Sequence, residues 1–153
     1  MIIKNENSIY VFFQMIEQLK PQSILDMGMF LKRVGSVSRK IMGCGVPERV
    51  QLDGVDFFPE LSFPVYQTIY NEIIPAELYF EMDNRKNYDF VSLLGIEELQ
   101  NRISLEKIIS GVAVSRYVLA DKPAQEWKMQ EKPVRVTDMT VENDTYYLLE
   151  FGA

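Results

Sequence analysis

Ile24-Leu25-Asp26-Met27-Gly28-Met29-Phe30 is the stretch on which the fold turns. Ile24 to Gly28 reads as a short buried strand that ends at a glycine, and a loop containing Gly35 follows it. Upstream, Ile9, Phe12, Phe13, Ile16 and Leu19 recur at helical spacing. Asn7 or Ser8 is placed to cap that helix and Pro21 to stop it. The order is thus helix, strand, glycine turn. Val37 to Met42 then reads as a second helix ending at Gly43, with Arg39 and Lys40 suited to its last turn.

Further along, Val50 to Phe58 reads as a second strand, with Pro59 just past it. Phe63 to Ile74 holds a short amphipathic segment between Pro64 and Pro75, with Tyr66 and Tyr70 four apart on its helical face. Glu77 to Phe80 is the candidate third strand and Tyr88 to Leu94 a strongly apolar fourth. Leu99 to Ser110 reads as a helix and Ser115 to Ala120 as a fifth strand. Val134 to Val141 and Thr145 to Phe151 are rich in β-formers, with Asn143-Asp144 between them as the turn of a hairpin. Alternating strands and helices imply a parallel sheet covered on both faces. The expected fold is therefore α/β, a three-layer sandwich with a mostly parallel sheet and a C-terminal antiparallel hairpin, in one domain over 1–153.

Composition narrows the chemistry. The chain has 153 residues, 47% of them hydrophobic and 25% charged, an ordinary globular balance. A net charge of −6 argues against a phosphate backbone as partner, because nucleic-acid readers carry a basic face. There is no histidine, which removes imidazole-based triads and HExxH metal sites. A single cysteine, Cys44, excludes an internal disulfide and a CxxC zinc site. Its flanking Gly43-Cys44-Gly45 follows a helix rather than a strand, so a helix end and turn explain those glycines. No apolar run approaches the roughly 20 residues that cross a bilayer. The opening MIIKNENSIYVFF has no basic region followed by an apolar stretch and a cleavage site, so the cytoplasm is the expected compartment.

Open α/β sheets bind ligands beyond the carboxyl ends of their strands, near the reversal in strand order. The loop after Gly28 and the end of the second strand, Gly54-Val55-Asp56, are therefore the first places to look. An acid at that second position can accept hydrogen bonds from a ribose diol. Asp56 follows Gly35 by 21 positions and Gly28 by 28. Asp26 either orients a ligand through the loop amides or only shapes the turn. Glu97, Glu98 and Asp121 lie past strand ends, where they serve as a general base or suit a helix N-terminus.

KPQSILDMG, GVDFFPEL, YDFVSLLGIEEL and RYVLAD, followed by a terminal hairpin, together resemble the Rossmann-like methyltransferases that use S-adenosylmethionine. The resemblance runs from about residue 8 to the C-terminus. It implies that Asp26 and Gly28 lie beside the methionine part of the cofactor, with Met29 and Phe30 next in the same loop. It implies that Asp56 accepts the ribose hydroxyls, that Phe57 lies against the adenine, and that Leu93 and Leu94 end the fourth strand beside the cofactor. It aligns Glu97 with an acidic position, sets Glu98 where many small-molecule members carry histidine, and suggests Asp83 as the short acid after the third strand. Two residues depart from the pattern: Phe30 stands where the family has glycine, and Lys32 puts a cation near a positive sulfonium.

The resemblance implies a methyltransferase acting on a small-molecule acceptor. Such chemistry needs little acid–base assistance when the acceptor is already nucleophilic. The alternative is a methyltransferase-like domain that has lost the cofactor site and serves as a binding or scaffold module for a protein partner, with Phe30 and Lys32 in its favour. A nicotinamide-dependent oxidoreductase is a third reading, weakened by the absent GxGxxG fingerprint. No membrane association is expected.

Overall fold

The computed structural model describes residues 6–30, 49–61, 69–83, 85–112, 116–123 and 132–152. The helix expected over Val37 to Met42, the Gly43-Cys44-Gly45 run, Lys32, Gly35 and Tyr66 lie outside the described residues. In chain order the elements are α1 (Glu6–Leu19), β1 (Ser23–Met27), β2 (Gln51–Asp56), a 3-10 turn (Pro59–Leu61), β3 (Glu72–Pro75), α2 (Ala76–Glu81), β4 (Phe90–Leu93), α3 (Ile96–Leu99), α4 (Leu105–Gly111), β5 (Tyr117–Ala120), β6 (Arg135–Val141) and β7 (Asp144–Glu150).

Among the described residues the strands form one sheet in the order β3-β2-β1-β4-β5-β7-β6. The pairs β2–β3, β1–β2, β1–β4 and β4–β5 are parallel, whereas β7 runs antiparallel to both β5 and β6. The chain moves outward from β1 to β3 on one side, then crosses back to β4 and continues to the other edge. The reversal in strand order falls between β1 and β4.

Strand alternation separates two cores. Leu25, Met27, Val55, Val91, Leu93 and Val118 pack with residues of α2, α3 and α4, including Tyr79, Leu99 and Ile108. Ile24, Leu52, Phe90, Leu119 and Leu148 pack with Val11, Phe12, Met15 and Ile16 of α1. The sheet is therefore the middle of three layers, as the alternating pattern implies.

Several local expectations are corrected. The third strand is Glu72–Pro75, and Glu77 to Phe80 belongs to α2. ELYF suits either period, but a helix buries Ala76, Tyr79 and Phe80 together and leaves Leu78 57% exposed. Pro75 is tolerated because β3 is an edge strand. The helix expected over Leu99 to Ser110 is two short helices, the second capped by Ser104, whose Oγ accepts from Lys107 N. The hairpin turn is Glu142-Asn143 rather than Asn143-Asp144, with Glu142 at φ 55°. Asn7 and Ser8 lie inside α1 and tie it to the hairpin: Asn7 Nδ2 donates to Val141 O and Asp144 Oδ2, and the Ser8 and Tyr146 hydroxyls are 2.8 Å apart.

Polar side chains fasten the layers at fixed points. Arg85 donates to the carbonyls of Tyr79, Phe80 and Ser110, where α2 and α4 end, and its guanidinium lies 5.0 Å from the Tyr79 ring centre. A cation suits helix C-termini and an aromatic face alike. On β2, the buried Asp53 accepts from the Tyr88 hydroxyl (2.7 Å) and from Gln51 Nε2 (2.7 Å). Burial, and then the bond to Asp53, push the Tyr88 phenol well above its ordinary value.

A stability consequence follows from the sign of that shift. Above the ordinary tyrosine value near 10, the unfolded chain gives up the Tyr88 proton while the folded chain keeps it. The folded form then binds more protons, so stability falls as pH rises through this range. Tyr88→Phe reduces that fall without abolishing it, because burial raises Tyr146 as well. Urea midpoints at about pH 8 and about pH 11 check this. An equal fall in wild type and variant would contradict the account.

Candidate functional site

The chain bends sharply where β1 ends. Gly28 has φ +86° and Met29 φ 53°, two left-handed residues in succession. Glycine is required at position 28 on two grounds: its backbone is left-handed, and an added Cβ would stand 2.5 Å from Leu99 Cδ2. Gly28 N donates to Val55 O (2.9 Å), and Met29 N to Asp26 O (3.1 Å). The register sets Asp26 beside Gly54 and Met27 beside Val55, so Asp56 ends β2 next to the bend at Gly28. The tips of β1 and β2 thus form one lip, directly beside the strand-order reversal.

Asp26 lies beneath this lip with no exposed surface. Its Oδ1 accepts from Phe30 N (2.8 Å) and Ser92 Oγ (3.0 Å), and its Oδ2 from the Tyr70 hydroxyl (2.6 Å). The carboxylate therefore joins the loop, β4 and the residue pair that precedes β3. Gly54 permits the approach, for a Cβ there would lie 2.7 Å from Met29 Cγ and 3.0 Å from the Tyr70 ring. Asp56, 5% exposed, accepts from Phe58 N through Oδ1 (3.0 Å).

The other expected site residues surround the same strand ends. Met29 is fully buried, and the Phe30 ring packs in the core with Phe12 of α1, their centres 5.6 Å apart. The bulky side chain that stands where the resemblance implies glycine is thus taken up beneath α1. Phe57 is buried on the opposite face, its ring nearly perpendicular to Phe80 at 5.8 Å. Leu93 and Leu94 are both fully buried, one in each core. Asp83 follows α2 rather than the third strand and is exposed.

The acids beyond β4 and β5 have structural partners. Asp121 accepts from Gly95 N (2.8 Å) and Ile96 N (3.4 Å), which joins the tips of β4 and β5 at the start of α3. Glu97 pairs with Lys122 at 2.8 Å, and that hydrogen bond and charge hold its carboxyl below the usual range. Across the lip, the Arg102 guanidinium lies 4.9 Å from the Phe58 ring centre and pairs with Glu60. Among the described residues no group of acidic or thiol side chains could hold a metal ion, and no helix is long and apolar enough to cross a membrane.

Sequence reasoning missed Tyr70, Ser92 and Arg102. Ser92 lies within the apolar run of β4, and a small hydroxyl there is the one signal that a polar partner sits opposite. Tyr70 meets an acid 44 positions away, which no local pattern reports.

No family model and no curated protein matches the chain. Its fold does match solved structures. An O-methyltransferase from Bacillus cereus, solved in complex with SAH, has 9% identity and a TM-score of 0.64, over 98% of this chain and 83% of that one. TomG, an O-methyltransferase from Streptomyces achromogenes solved in complex with SAM, has 12% identity and a TM-score of 0.58, over 99% and 82%. The N-methyltransferase NodS from Bradyrhizobium japonicum has 10% identity and a TM-score of 0.52, over 97% and 98%. The chain has the methyltransferase type of Rossmann-like fold.

Burial of Phe30 yields a direct expectation. Phe30→Ala removes a core ring and lowers stability by about 3–5 kcal/mol in chemical denaturation. A variant as stable as wild type would mean that the ring stands at the lip instead of in the core.

Proposed function

We propose that the chain is an S-adenosylmethionine-dependent methyltransferase acting on a small-molecule acceptor, with the cofactor seated across the tips of β1, β2 and β4. The observation that carries this reading is the juxtaposition of Asp56 with the bend at Gly28, beside the strand-order reversal. Neighbours of the same fold solved with SAM and SAH support it.

The residues at the lip fit such a ligand. Asp56 accepts the ribose hydroxyls, as a carboxylate at the end of the second strand of an open α/β sheet is placed to do. Asp26 shapes the loop that meets the methionine part, because its side chain accepts from Phe30 N and its carbonyl from Met29 N. Phe57 borders the adenine from the core it shares with Phe80, and Leu93 and Leu94 close the β4 side. Acidic groups at the lip suit a ligand that carries a sulfonium and an ammonium.

When bound, the cofactor supplies an activated methyl group. The chain's own part is then to bind, orient and exclude water, so that donor and nucleophilic acceptor are aligned. That division of labour accommodates a chain without histidine.

Calorimetry and thermal shift with S-adenosylmethionine and S-adenosylhomocysteine test the reading. Ligand at 100 times its Kd adds about 2.7 kcal/mol of stability. Asp56→Asn weakens binding about tenfold or more, because it removes a charged acceptor without changing shape. No shift at millimolar ligand would overturn the reading, and an unchanged affinity in Asp56→Asn would remove the ribose assignment.

A further inference from the structure

Most donors around Asp26 are local or built into the sheet. Phe30 N belongs to the loop itself, and Ser92 stands directly beside Asp26 in the β1–β4 register. Tyr70 differs, because it reaches Asp26 from the connection ahead of β3. Its backbone neighbour is fixed to β2: Asn71 N donates to Leu52 O (2.7 Å), and Asn71 Oδ1 accepts from Leu52 N (2.8 Å). Anchored there, the Tyr70 ring crosses the bare backbone of Gly54 to reach Oδ2, and Met29 crowds the same spot.

Asp26, the loop and β2 are thus held in one arrangement by a phenol that is itself only 4% exposed. If the hydroxyl is lost, Oδ2 loses the donor that braces the carboxylate from the β2 side. Oδ1, which holds Phe30 N, is then braced from the β4 side by Ser92 Oγ but no longer from the β2 side by Tyr70. The bond from Phe30 N to Oδ1 closes the bend at positions 28–30, alongside those of Gly28 N to Val55 O and Met29 N to Asp26 O.

We infer that Tyr70 is a positioning residue: through Asp26 it sets the Gly28–Phe30 bend that receives the amino-acid end of the cofactor. This rests on the cofactor reading above. The inference separates the two ends of the ligand. Tyr70 governs the end that lies on the loop, whereas Asp56 governs the ribose.

The test compares Tyr70→Phe with Tyr88→Phe. Each removes the hydroxyl of a buried tyrosine bonded to a buried aspartate, but Tyr88 serves Asp53, away from the loop. Each variant is titrated with S-adenosylhomocysteine and with 5′-methylthioadenosine, which lacks the amino-acid end. The exchange rate of the Phe30 amide is followed in the ligand-free proteins. Loss of a buried bond to a charged group predicts that Tyr70→Phe weakens S-adenosylhomocysteine about tenfold and leaves methylthioadenosine within about twofold. Its Phe30 amide exchanges faster, and Tyr88→Phe shows none of these changes. Equal effects on both ligands, or Tyr70→Phe behaving as Tyr88→Phe does, would overturn the inference. If wild type binds neither ligand, the cofactor reading fails. Phe30 exchange then decides the positioning claim alone: faster exchange in Tyr70→Phe upholds the brace and equal exchange overturns it.

Discussion

Asp26 is a carboxylate without exposed surface, and a buried charge is tolerated only where donors surround it. Donors reach it from the loop after β1, from the middle of β4 and from the residue pair ahead of β3. Satisfying this one group therefore fixes the loop's bend, the apposition of β1 and β4, and the side of β2 on which Tyr70 rests. The bond from Gly28 N to Val55 O completes the arrangement on the β2 side. The β1–β2 register then sets Asp56 beside the bend these bonds hold.

Buried or strand-end acids elsewhere show what distinguishes that lip. Asp53 is taken up by Tyr88 and Gln51, Asp89 accepts from Gln22 N at the start of β1, and Asp121 holds two amides at the start of α3. These groups fasten segments of the chain at both ends of the sheet. Their positions in the sequence resemble those of functional acids, and their partners make them structural. Asp56 is set apart by location: it ends a strand beside a left-handed bend at the strand-order reversal, where open α/β sheets receive ligands.

Much of this was legible in the sequence because burial on a sheet or helix leaves a period. The apolar face of α1, the runs of β1, β2 and β4 and the terminal hairpin follow from Ile9 to Leu19, Ile24 to Gly28, Val50 to Phe58, Tyr88 to Leu94 and the β-rich tail, with β2 and β4 each ending short of the run that announced them. Short edge elements were not legible. β3 is four residues with a proline, and ELYF in α2 fits both a strand and a helix until Leu78 is seen to face outward. The split between α3 and α4 was written in Ser104, a capping residue inside an apparent helix. At the site, Gly28 and Asp56 could be named from glycine and strand-end chemistry alone. The direction of the Phe30 ring could not, because only the position of Phe12 on α1 decides which side accepts it.

The central claim is that the ends of β1 and β2 make a single ligand-receiving lip. Amide chemical shifts during titration with S-adenosylhomocysteine test it most directly. The account predicts saturable shifts concentrated at Gly28, Met29, Asp56 and Gly95, with the hairpin of β6 and β7 unmoved. Saturable shifts confined to the hairpin or to the α2 and α4 face, with Gly28 and Asp56 unchanged, would contradict it.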